Sequence, residues 1–381
     1  MKQTIIFTAA ILWGLVPCVF AQSGAPETDF TPAARVRPEV MPSATAEAIN
    51  AAMEKGVDYL KKSQAEDGSW SAFAGIGVTS LATGALLDAG LTSDDPTVAK
   101  GLKYIEKFIQ PDGGIYNPDM MVINYETCIS VETLVKANAD GRYDAILKKA
   151  DKFIRDGQYT ESSGYDTDNL NYGGNGYGGK GRADMSNTTF FLDALKSLGA
   201  QADDPAIQKA LVFVSRCQNL ESPHNTTKFA DKNPDGGFYY VVVGAKESDI
   251  QPNGGLLSYG SMTYAGLKSF IYANMDKNDA RYKAAMDWIA KNYTLMENPG
   301  KNAAGVYYYY VMFSKVMTLM NLDSFTDADG KTHEWKKELA AELIFRQQPD
   351  GSWKNTENKR WMENDPNLST GYALRAMSLV K

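Results

Sequence analysis

The stretch from Tyr159 to Asn187 gathers the side chains best suited to chemistry. Asp166 and Asp168 stand two apart, glycines separate Tyr165, Tyr172 and Tyr177, and Arg182, Asp184 and Asn187 follow directly. Tyrosine faces stack on sugar rings and other flat apolar surfaces, and a carboxyl whose pKa is raised by burial can give or take a proton. A D-x-D pair also suits a hard cation, but the remaining ligands of a calcium loop are missing. Asp184 and Asn187 have a structural meaning as well, as turn and helix-cap residues. Glu126 and Glu132 lie in an otherwise apolar segment, where a carboxylate needs a partner or a proton, and Arg182 and Arg375 are the candidate partners.

The catalytic candidates are therefore Glu126, Asp166, Asp168 and Asp184. Tyr125, Tyr165, Tyr172, Tyr177, Arg182, Asn187, Tyr259 and Tyr307 are the candidates for ligand contact, the last opening a run of four tyrosines. No metal or cofactor is expected. His224 and His333, the only histidines, form no ligand spacing with Cys128 and Cys217, and there is no nucleophile elbow, P-loop or dinucleotide fingerprint.

These residues must be held by helices. Six segments repeat one order of features: an amphipathic helix, usually a Gln near its end, a glycine turn with an aromatic, then a more apolar helix. The clearest copies are Tyr59, Leu60, Gln64, Asp67, Gly68, Ser69, Trp70 and Leu343, Ile344, Gln348, Asp350, Gly351, Ser352, Trp353. Charged faces such as Glu54, Lys55, Asp58, Lys61 and Lys62 place the first helix of each pair toward water, and runs such as Leu81, Ala82, Ala85, Leu86 and Leu87 bury the second. The expected fold is all-α, an (α/α)6 toroid with inner and outer rings of helices. The near-identity of the first and last turns predicts closure, because an open array needs atypical polar caps.

Links from inner to outer helices are short, whereas residues 157–186, 219–260 and 292–307 form long outer-to-inner links. All elaboration thus falls on one rim, where inner helices begin, and variable loops on a rigid frame are where recognition residues concentrate. Free N–H groups and positive dipole ends at that rim would favour carboxylates, phosphates or hydroxyl-rich ligands.

Residues 1–21, with a basic start, an apolar run and Ala21 before the cut, read as a signal peptide, giving a periplasmic or secreted protein. Cys18 offers a lipoprotein anchor as the lesser alternative. Residues 22–45 are a Pro- and Ala-rich flexible leader, and 46–381 a single toroid domain. No later run has membrane-spanning length, and the two remaining cysteines, isolated in apolar patterns, read as buried thiols. A formal net charge of -7 argues against nucleic acid, which requires clustered positive charge.

The two Gly-Ser-Trp turns with their preceding Gln resemble the QW-type repeats of the terpenoid cyclase and protein prenyltransferase superfamily, and the resemblance spans roughly residues 46–381. It implies the toroid. Squalene-hopene cyclases protonate an alkene through a D-x-D-D motif, and its nearest counterpart here, Asp184-Met185-Ser186-Asn187, has Ser186 in the place of the acid. The prenyltransferase zinc ligands and the complement-type Cys-Gly-Glu-Gln run are absent. Two expectations stand side by side: a protein that binds a glycan, lipid or protein ligand at the rim, or an enzyme using carboxylates and tyrosines there on a polysaccharide or an isoprenoid.

Overall fold

The computed structural model describes residues 37, 38, 41–178 and 181–381; the expected signal peptide, Cys18 and most of the leader lie outside them. Residues 41–381 form one compact unit. Six outer helices, α1 (Ala46–Ser63), α3 (Pro96–Glu106), α5 (Asp144–Asp156), α7 (Pro205–Arg216), α9 (Ala280–Lys291) and α11 (Trp335–Arg346), alternate with six inner ones. These are α2 (Gly77–Asp88), α4 (Ile123–Lys136), α6 (Met185–Ser197), α8 (Gly260–Tyr272), α10 (Val306–Leu319) and α12 (Pro366–Ser378).

Burial follows the sequence pattern. Helix α5 buries only Leu147, Ala150 and Ile154, a single stripe, whereas α6 buries every residue from Met185 to Leu195. Outer helices start sharply: Asp95, Asp204 and Asp279 accept hydrogen bonds from backbone N–H groups of the first turn, and Pro96 and Pro205 occupy positions where no amide proton is needed.

Each inner helix packs on the next, and α12 packs back on α2, so the ring is closed; α1 meets both α11 and α12 at the seam. The repeated turn makes the joints. The Trp70 indole N–H donates to Leu60 O at 2.9 Å and Trp353 to Leu343 O at 2.7 Å, satisfying carbonyls at the outer-helix ends. Gly68 has φ +94°, and a Cβ there would fall 2.4 Å from Lys100 O of the next outer helix. Gly351 repeats this across the seam, with φ +90° and 2.5 Å to Lys55 O.

A glutamine clamps the same joint. Gln64 Nε2 donates to Gly68 O at 3.0 Å and to Thr97 O at 2.9 Å, and Gln347 Nε2 to Gly351 O at 2.9 Å and Ala52 O at 2.8 Å. Gln347 is therefore the structural equivalent of Gln64, one residue before the Gln348 that pairs with it in the sequence. A further repeat carries no obvious sequence signature. Thr79, Thr127, Thr188, Thr263 and Thr370, in the first turns of five inner helices, accept from the turn amides of Trp70, Ile115, Asn175, Phe238 and Trp353.

Cys128 and Cys217 are free, buried thiols. A short antiparallel pair, β1 (Phe325–Thr326) and β2 (Thr332–His333), interrupts the helical pattern between α10 and α11. His333 lies there between Asp327 and Glu338, 3.0 Å from each, with its ring 3.9 Å from that of Tyr293. Among the described residues no helix is long and apolar enough to cross a membrane.

Candidate functional site

The outer-to-inner linkers share one rim, and hydrogen bonds tie them into a belt. Glu126 accepts from Ile76 N and Asn117 N, both at 2.7 Å; Asn124 N donates to Tyr177 O at 3.2 Å and Met185 N to Tyr240 O at 2.9 Å. Gly260 N reaches Pro299 O at 2.8 Å, Asn355 reaches Ala303 O at 2.7 Å, and Ser71 Oγ donates to Asp365 at 2.7 Å across the seam.

This belt changes the expectation of free helix dipoles. Glu126 caps α2, Asn298 caps α8 through Ser261 N at 2.9 Å, and Glu363 caps α10 through Tyr308 N at 2.9 Å. Asp184 and Asp365 cap α6 and α12. Five of the six inner helices thus have an N-terminal amide taken by a protein side chain. Burial raises the pKa of Glu126 against its backbone donors, and raises that of Glu363 to about 7.

Within the belt lies the mouth of the ring. Asp184 is fully buried; Oδ1 accepts from Asn187 N at 2.9 Å and from Ser186 Oγ at 3.3 Å, and Oδ2 accepts from Asn187 Nδ2 at 2.9 Å. Burial holds its carboxyl above the ordinary range despite these donors. Ser186 Oγ also meets the hydroxyl of Tyr125, giving a chain Tyr125–Ser186–Asp184. Tyr177 and Tyr240 join through their hydroxyls at 3.0 Å, and the Arg182 guanidinium lies over the Tyr240 ring at 5.5 Å.

Below the mouth an aromatic wall descends. Ring centroids are 5.5 Å apart for Tyr177 and Tyr125, 5.0 Å for Tyr125 and Phe190, 6.0 Å for Phe190 and Tyr308, and 5.9 Å for Tyr308 and Tyr372. Tyr125, Tyr240, Tyr308 and Tyr372 are half-buried. The Tyr308 hydroxyl oxygen is enclosed and has no hydrogen-bond partner among the described residues.

An ionic layer closes the floor. Arg375 meets Glu132 at 2.5 Å and Asp88 at 3.3 Å; Asp193 meets Lys268 at 2.6 Å, Lys315 at 3.1 Å and the Tyr272 hydroxyl at 2.8 Å. Every inner helix contributes an ionised side chain. Glu132 thus takes Arg375, one of the two partners expected from sequence.

The structure brings Tyr125, Tyr177, Arg182, Asp184 and Asn187 together and leaves the other candidates elsewhere. Glu126 has both oxygens occupied by linker amides. Asp166 and Asp168 are exposed on the segment that Arg216 anchors through Thr167 O and Asn169 O, and Asp166 Oδ1 accepts from Asn169 N at 3.1 Å. Tyr165 stacks on Tyr159 at 4.6 Å, and Tyr172 donates to Glu161 at 2.7 Å. Tyr259 is buried at the head of α8 with Lys301 over its ring at 4.8 Å, while Tyr307 is buried and donates to Lys354 O at 3.3 Å. Sequence reasoning did not single out Tyr240, Phe190 or Tyr372, and it named Tyr308 only within the run Tyr307–Tyr310 that could line a cavity. Phe190, Tyr308 and Tyr372 lie in the first two turns of inner helices, a placement that a helical-wheel comparison across the repeats would have exposed.

A family model described as the squalene-hopene cyclase C-terminal domain matches residues 74–242, the segment holding Tyr125 through Tyr240. Among solved structures, the apo type II terpene cyclase MstE from Scytonema is similar at 12% identity and TM-score 0.51, covering 88% of this chain and 98% of that chain. A polysaccharide lyase is similar at 12% identity and TM-score 0.54, with 88% and 97% covered. A glycosyl hydrolase of family 88 from Bacteroides vulgatus is similar at 10% identity and TM-score 0.54, with 88% and 99% covered. No curated protein matches the sequence. This chain folds as a terpene-cyclase-like alpha/alpha toroid.

Proposed function

We propose that this chain is an exported glycan-binding protein whose site is the mouth of the toroid. The observation that carries the proposal is the set of half-buried tyrosines around the opening, Tyr125, Tyr240, Tyr308 and Tyr372, with the enclosed Tyr308 hydroxyl left without a partner. Such rings offer an apolar face to a sugar and a hydroxyl to its oxygens. An enclosed polar atom without a partner costs free energy that a bound hydroxyl would restore. The ionic floor speaks against a hydrocarbon guest, since an isoprenoid chain in the bore would lie against the charges of Lys268, Asp193, Glu132 and Arg375. The fold is also one that a polysaccharide lyase shares.

Isothermal titration against a panel of neutral and acidic hexasaccharides tests this. Tyr308→Phe and Tyr240→Phe should each weaken binding about 2- to 10-fold, the worth of one hydrogen bond. Absence of binding to every saccharide, or unchanged affinity in both variants, would sink the proposal.

A second reading, catalysis on the bound glycan, is favoured by the chain Tyr125–Ser186–Asp184, in which two hydroxyls lead to a buried carboxyl with a raised pKa. It requires that Ser186→Ala abolish release of new reducing ends while leaving glycan affinity intact.

A further inference from the structure

Eight arginines lie in the toroid, and six of them, Arg142, Arg155, Arg216, Arg281, Arg346 and Arg375, donate from the guanidinium to protein oxygens. Arg182 and Arg360 are different. Among the described residues neither guanidinium has an acceptor, and each lies instead against an aromatic ring: Arg182 over Tyr240 at 5.5 Å, Arg360 over Trp361 at 4.6 Å. The Nη1 of Arg182 is enclosed as well as unpartnered. A cation in that state is held ready for an anion, because stacking restrains the planar fork while its donors stay unpaired among the described residues.

Both arginines stand on rim linkers, Arg182 just before α6 and Arg360 just before α12. Arg182 lies beside Gly244 of the α7–α8 linker, and Trp361, the neighbour of Arg360, packs on Gly305 at the head of α10, so the two cations stand over different hairpins. Arg182 is felt by Asp184 and Tyr177 of the site, and Arg360 by Tyr259 at the head of α8.

The Arg360 side is built at a cost. Trp361 and Met362 are consecutive non-glycine residues at positive φ, 57° and 62°, and Trp361 remains exposed. A Cβ at Gly305, at the head of α10, would come within 2.7 Å of the Trp361 ring, so this glycine makes room for the indole. Backbone strain that keeps an apolar ring at an opening in water is characteristic of binding sites.

We propose that the ligand is an extended acidic glycan, with carboxylates on separate sugar residues, that crosses the mouth from Arg182 to Arg360 and stacks one ring on Trp361. This rests on the glycan reading of the site. Two cations on separate linkers favour an oligomer over a single sugar. A nucleic acid is disfavoured because it needs clustered positive charge, and the chain's formal net charge is -7.

The test is titration of the full chain with hexamers of galacturonate, mannuronate and hyaluronan, with the galacturonate dimer, the methyl-esterified galacturonate hexamer, cellohexaose and a single-stranded hexanucleotide. The expected result is binding of at least one acidic hexamer, weakened at least tenfold by Arg182→Gln and by Arg360→Gln and threefold or more by Trp361→Ala. For galacturonate as that hexamer, its dimer and its methyl ester should bind at least tenfold more weakly. Circular dichroism confirms folding, and Arg360→Lys should recover part of the loss. A neutral or esterified hexamer that binds as well as the acidic ones, or arginine variants without effect, would overturn the acidic inference and leave the glycan reading standing. Failure of every saccharide would remove both, and tighter binding of the oligonucleotide would replace the ligand class.

Discussion

Replacing Gly351 by Ala probes the joint at which the last hairpin meets the first. The residue sits at φ +90°, where an L side chain costs roughly 1–2 kcal/mol. Its new Cβ would also lie 2.5 Å from Lys55 O and 2.9 Å from Lys55 C, so the turn must withdraw from α1 by about half an ångström or more. That movement strains the two hydrogen bonds of Gln347, each worth about 1 kcal/mol. The expected loss is about 3–5 kcal/mol, at the severe end for a single substitution. Gly90 provides the control: it has φ +99° and nothing within 4 Å of its Cβ, so Gly90→Ala should show only the conformational cost. Gly68→Ala, 2.4 Å from Lys100 O, reproduces the clash at an internal joint. Urea unfolding of the three variants should place Gly351 with Gly68, about 2 kcal/mol or more below Gly90. If Gly351→Ala matches Gly90→Ala while Gly68→Ala is severely destabilised, the first and last hairpins do not touch in solution and the closed ring is wrong.

Three further outcomes follow from buried groups. Glu363 has its pKa raised to about 7 in the fold, so its protonated form is favoured there; the stability it contributes is complete below about pH 4.5 and is lost as pH rises through 7. At 1.36 kcal/mol per unit this is of order 3 kcal/mol, and Glu363→Gln should flatten the urea-midpoint profile between pH 5 and pH 8. Lys268→Met leaves Asp193 short of its nearest cation in the floor and should cost about 3–5 kcal/mol, whereas the double change Lys268→Met with Asp193→Leu should cost less, as read by calorimetric melting. Burial raises the thiol pKa of both Cys128 and Cys217, so neither should react with a disulfide reagent until the chain is unfolded, as followed by absorbance.

The ring was readable from sequence because its joints are made by residues with restricted alternatives. Only glycine fits the positive φ and close approach at residues 68 and 351, and Trp70 and Trp353 satisfy helix-end carbonyls that must be satisfied somehow. The Gln register was off by one at 347 and 348 because both residues are Gln, and only the reach to Ala52 O separates them. The site was half readable. Asp184, Asn187, Arg182, Tyr125 and Tyr177 stand out by type at the head of a helix or in the glycine-rich insertion. Tyr240 and Tyr372 did not, and Tyr308 could not be told from its three tyrosine neighbours, since their orientation depends on the angle at which one linker and two helices enter the ring. Acid-rich loops were equally ambiguous: Asp166 reads the same whether it faces a ligand or, as it does, accepts from the amide three residues on.

The belt that joins neighbouring linkers has a kinetic meaning. Because bonds such as Asn124 N to Tyr177 O and Ser71 to Asp365 fix adjacent loops to one another, little order has to be gained when a guest binds. Association should therefore be a single fast phase linear in ligand concentration, with differences between ligands expressed in how long they stay rather than in how quickly they arrive.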